Sequence, residues 1–126
     1  MNVIERFRKY RKGGIVLFRH GGKGVSANGT YKKGDYLGFS GDVYQASYGA
    51  LKRIGLPHRR AVNLARWITM HKAMESGYGS SIPNNFNYGG YGGRNPMRFN
   101  SMNDYITRYV TDAQRLYPGI FKANNF

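Results

Sequence analysis

Apolar positions recur at three- and four-residue intervals over three stretches of the chain. In the first, Val43, Ala46, Ala50, Leu51 and Ile54 share one helical face behind Asp42, a side chain suited to an N-cap. Gly55 and Pro57 stop that helix. A second helix is predicted from about His58 to Glu75. Its face is Ala61, Leu64, Ala65 and Ile68, widened towards the core by Trp67, Met70 and Met74. A third starts at Ser101, where Ser101-Met102-Asn103-Asp104 reads as a capping box with Asp in place of the usual Glu. Met102, Tyr105, Ile106, Tyr109, Val110, Ala113 and Leu116 then repeat until Pro118 ends the pattern. Residues 76–100 are rich in Gly, Asn, Ser and Tyr, with Pro83 and Pro96, and read as a long loop or small hairpin. Loops of this length inside a domain are usually functional or disordered.

Residues 1–41 do not share this pattern. They hold nine Lys/Arg against Glu5 and Asp35, with Gly13-Gly14 and Gly21-Gly22 flanking one apolar run, Ile15 to Phe18. Glycine favours turns and open backbone, so the segment reads as an extended basic arm with one or two short strands. It is either a docking or packaging tag or a solvated tail. The chain thus divides into an arm, 1–41, and one domain, 42–126.

Composition narrows the partners. A net charge of +14 across 126 residues favours polyanions: nucleic acid, anionic cell-wall polymers or acidic membrane surfaces. The absence of Cys excludes disulfides and thiolate metal sites. His20, His58 and His71 are scattered without metal-ligand spacing, so neither a metal nor a cofactor is expected. The run Ile15–Phe18 is too short for a signal-peptide core or a membrane span, so work outside the cytoplasm would need another route of delivery.

One carboxylate stands apart. Glu75 is the only acid between Asp42 and Asp104, and it closes the second helix where the chain breaks into Gly77-Tyr78-Gly79. Cleaving a sugar–sugar bond needs a proton donor for the leaving oxygen, and apolar surroundings or a helix C-terminus help a carboxylic acid keep its proton. The plainer reading is a helix-end Glu paired with Lys72 or an Arg. His71, one turn before Glu75 on the same face, reads first as a packed or solvated histidine.

The run His71-Lys72-Ala73-Met74-Glu75-Ser76-Gly77-Tyr78-Gly79 resembles the signature helix end of glucosaminidase-type peptidoglycan hydrolases. This lysozyme-like group includes flagellar muramidases and phage lysins. Two further stretches fit its pattern in order: Asn84-Asn85-Phe86-Asn87-Tyr88-Gly89-Gly90, and Phe99-Asn100-Ser101-Met102-Asn103-Asp104 with Tyr109 and Tyr117-Pro118 beyond. The resemblance spans about 75 of the 126 residues. It implies a mainly α fold of the α+β lysozyme-like type: three main helices, the long loop or hairpin, and the arm. It implies hydrolysis of a β-1,4 bond in the cell-wall glycan, with Glu75 as catalytic acid. Asn84, Asn85 and Phe86 would shape the cleft, and Tyr88 and Tyr91 would stack on or hydrogen-bond sugar rings. The basic Lys9-Tyr10-Arg11-Lys12-Gly13-Gly14 run is similar to segments of phage virion proteins. That implies carriage in the virion, contacts with other virion proteins through the arm, release to the bacterial wall, and no signal peptide.

Two departures bear on activity. No second carboxylate is evident to activate water, since none lies between Glu75 and Asp104 and Asp104 is committed to a cap. The group's members also continue beyond the last helix, whereas this chain stops at Phe126, which implies a cleft left incomplete or finished by another chain. Two other readings stay open: a non-catalytic structural virion protein on a lysozyme-like scaffold, and a basic nucleic-acid-binding protein whose Tyr residues stack on bases.

Overall fold

A computed structural model describes Ser26 and residues 28–122, so residues 1–25 of the arm lie outside it. The described residues are mainly helical: α1 (Tyr36–Arg53), α2 (His58–Ser76), α3 (Met102–Leu116) and the short α4 (Pro118–Lys122). The small hairpin does not form; residues 77–101 run as turns and bends. They are tied down by backbone bonds instead, Tyr31 N–H to the Gly79 carbonyl (2.9 Å) and Phe86 N–H to the Asn28 carbonyl (3.2 Å).

α1 begins earlier than Asp42 suggests. Its N-cap is Asp35, whose side chain accepts from the Gly38 N–H at 3.1 Å. A Cβ at position 38 would lie 2.3 Å from that carboxylate, so glycine is what lets the cap close. Phe39, fully buried, extends the stripe of Val43, Ala46 and Ala50 back by one turn. The division between 41 and 42 therefore falls inside a helix, and the folded unit includes Tyr31, which is buried in the same core.

Asp42, in mid-helix, takes a different role. It accepts a short hydrogen bond from the Tyr31 hydroxyl. Burial pushes its carboxyl up to about 6, against the pull of that hydroxyl and with a small push from Asp35. The folded protein then binds this proton more tightly than the unfolded chain does. Stability should therefore fall as pH rises from about 4 to about 6, by about 2 kcal/mol after discounting for partial solvent access. Asp42→Asn, which keeps an oxygen for Tyr31, should exceed the wild type in stability by that amount at pH 8 and match it near pH 3.5. Urea titrations at both pH values measure the difference.

α2 matches its predicted span, ending at Gly77 in the left-handed conformation (φ 55°), with the Gly77 N–H bonded to the Ala73 carbonyl. Its inner face is Ala61, Leu64, Ala65 and Ile68, whose alanines admit close approach to α1. Trp67, Met70 and Met74 are not core: they are 46%, 51% and 84% exposed on a stripe turned away from α1. α3 starts as the sequence indicates, with the Ser101 hydroxyl accepting from the Asp104 N–H at 3.1 Å. Both α2 and α3 pack on α1 rather than closely on each other. The space left between them is the site.

Candidate functional site

Between α2, α3 and the loop after α2 lies a cavity of about 500 Å³, a size suited to a small ligand. Trp67, His71, Lys72 and Glu75 line it from α2, Gly90 and Tyr91 from the loop, and Tyr109 and Asp112 from α3. Leu116, Tyr117 and Phe121 also line it.

Glu75 is fixed from two sides. His71 Nε2 lies 2.7 Å from its Oε1, and Lys72 Nζ lies 3.4 Å from the same oxygen. Oε2 rests against the loop: a Cβ at Gly89, where φ is +120°, would come within 2.1 Å of it. Glycine at 89 thus gives the carboxylate its place. The Gly89 carbonyl is held in turn by the Tyr105 hydroxyl, which donates to it at 2.6 Å. The surroundings of Glu75 are accordingly polar on one side, not the uniformly apolar setting expected from the helix pattern.

Lys72 is the residue least expected here. Only 1% of it is exposed. Its ammonium sits 3.9 Å from the centre of the Tyr109 ring and 5.8 Å from that of Tyr105. Burial pushes the ammonium below its ordinary value, opposed by the charge and hydrogen bond of Glu75. A cation over aromatic faces, paired with a carboxylate, is a stable way to bury a lysine. Burial, followed by the charge of Glu75, also raises the Tyr109 hydroxyl, which stays protonated at neutral pH.

On α3, Asp112 Oδ2 accepts from the Tyr91 hydroxyl at 2.7 Å and from Arg108 Nε at 2.9 Å, while Arg115 Nη2 lies 3.7 Å from Oδ1. The Tyr91 hydroxyl and then Arg108 hold Asp112 below the usual carboxylate range. Tyr91 itself is set by ring contacts with Phe99 and Tyr105.

Of the six residues expected to cut or hold the glycan, Glu75 and Tyr91 line this cavity, and Asn84, Asn85, Phe86 and Tyr88 do not. Tyr88 is fully buried, with its hydroxyl donated to the Gly29 carbonyl at 2.5 Å and its ring among Tyr31, Phe39 and Tyr105, so it is core rather than a sugar platform. Asn84 accepts from the Thr30 hydroxyl at 2.6 Å. Asn85 is buried and accepts from the Asn87 N–H and, through its carbonyl, from the Phe99 N–H. Phe86 takes a left-handed turn (φ 56°) against Gly29. These three organise the loop rather than meet a ligand in the cavity. His71 also lines the cavity, part exposed, and Lys72, Tyr109, Trp67 and Asp112 are additions. The signal for His71 and Lys72 was their spacing of four and three residues before Glu75. Among the described residues, no group of three or more His, Asp or Glu is placed to hold a metal ion, and no helix is long and apolar enough to cross a membrane. Compared with protein-family models, curated proteins and solved structures, the chain shows no significant match.

Proposed function

We propose that the protein cleaves a β-1,4 glycosidic bond in the glycan strands of bacterial peptidoglycan, on a scaffold of lysozyme-like type. One observation carries this reading: the helix-end carboxylate of Glu75 lies at the wall of an aromatic cavity, fixed between His71, Lys72 and Gly89. Sugar rings have apolar faces and polar edges, and Trp67, Tyr91, Tyr109 and Tyr117 supply surfaces for both. His71 Nε2 and Glu75 Oε1 are close enough to share one proton. The proton held between them passes to the leaving oxygen as the bond to the anomeric carbon breaks. The charge of +14 draws the protein to an anionic envelope. Carriage in a virion, with the basic arm as the contact, belongs to the same reading.

The test is digestion of purified peptidoglycan by the full-length protein, with mass spectrometry of the released fragments. Soluble muropeptides with a new reducing end are the expected result, and the identity of that end names the bond. A folded protein that releases none overturns the reading and leaves a scaffold without glycan chemistry.

A further inference from the structure

We infer that Asp112 is the carboxylate that activates the attacking water opposite Glu75. This rests on the glycan-cleavage reading and supplies a second carboxylate beside Glu75. The chain has six acidic residues, five of them among those described. Asp35 caps α1, Asp104 sits in the first turn of α3, and Asp42 is bonded to Tyr31. The remaining two, Glu75 and Asp112, line one cavity from different helices. Two of the five described acids thus share one cleft.

The geometry suits a base: Tyr91 and Arg108 orient Oδ2, and Arg115 Nη2 lies 3.7 Å from Oδ1. Asp112 is ionised at neutral pH because Tyr91 and the arginines hold it low, and a base must begin without its proton. Glu75 and Asp112 face this cavity from different helices, Glu75 from α2 and Asp112 from α3. An inverting glycosidase works with two carboxylates set apart in this way, with water admitted between one of them and the sugar.

In the reaction, water gives a proton to Asp112 Oδ1 while its oxygen bonds to the anomeric carbon. The glycosidic C–O bond breaks, its electron pair passes to the leaving oxygen, and that oxygen takes the proton of the His71–Glu75 pair. The anomeric configuration inverts. The hydrogen bonds that hold Asp112 also weaken it as a base, which puts its contribution at the lower end of general-base effects, about 100-fold.

The experiment uses the full chain on purified peptidoglycan and on a soluble β-1,4 N-acetylglucosamine oligomer, with NMR of the first-formed anomer. Asp112→Asn should fold, lower kcat about 100-fold and leave KM nearly unchanged. Sodium azide should restore turnover to Asp112→Ala and yield the α-glycosyl azide. The wild type should release the α anomer first. Wild-type rates in Asp112→Asn beside an inactive Glu75→Gln would overturn the inference and leave the glycosidase reading standing. A retained β anomer would overturn it too. A loss that azide does not restore, with a raised KM or a lowered melting point, would overturn it and make Asp112 only a tether for Tyr91. An inactive wild type removes the glycosidase reading and this inference with it.

Discussion

Glu75→Gln is expected to slow glycan cleavage by about 10³-fold while the protein stays folded. Glutamine keeps the shape of the side chain and an oxygen for Lys72, but it carries no transferable proton. The rate loss therefore separates proton donation from the holding of substrate, and KM should stay near its wild-type value. The stability loss should reach about 3 kcal/mol, because the variant leaves the buried Lys72 ammonium without its carboxylate. Initial rates of reducing-end formation, with thermal unfolding of the same samples, give both numbers. A mutant that retains wild-type rates shows that Glu75 is not the donor.

Tyr105→Ala should have the largest effect on stability, a loss of about 4 kcal/mol. Tyr105 is fully buried where the loop meets α3, and its ring touches those of Tyr88, Tyr91, Phe99 and Tyr109. Removing it leaves a cavity at that junction and frees the Gly89 carbonyl that it holds beside Glu75. For a domain of this size the melting point should drop by roughly 15–30 °C. Against a total stability of about 5–15 kcal/mol, the variant is marginal. Tyr105→Phe keeps the ring and loses only the hydrogen bond to Gly89, so its cost should be about 1–2 kcal/mol. Denaturant titrations of the two variants divide the ring's contribution from the hydroxyl's. Equal losses in both would mean that the bond, not the packing, holds the loop.

Local signals explain what was readable before folding. The span of α2 and the cap at Ser101 depend on residues within a turn of each end, and both are where the pattern places them. The start of α1 was hidden by Gly38 and Gly41, which argue against a helix on propensity. Burial of Phe39 overrides that preference, and Gly38 turns out to be required by the Asp35 cap. At the site, Glu75 was legible because a helix end and a glycine mark it. Asp112 was not, since its place opposite Glu75 depends on how α3 settles on α1, which no stretch of sequence encodes locally. Lys72 would be put in solvent by any rule about charge, and only the Tyr109 face and Glu75 make its burial tolerable. Tyr88 and Tyr91 sit three residues apart in the same loop, one in the core and one at the cavity. Nothing in their neighbours distinguishes them; the difference is the Gly29 carbonyl that receives Tyr88 and the Asp112 carboxylate that receives Tyr91.

Trp67 is the only tryptophan in the chain, and it lines the cavity with its ring centre 5.0 Å from that of His71. Its indole emission consequently comes from a single place, and that place is the wall of the cleft. An unlabelled sample thus carries its own optical reporter: occupancy of the cleft dries the indole. Binding can be followed in the native sequence, separately from any turnover.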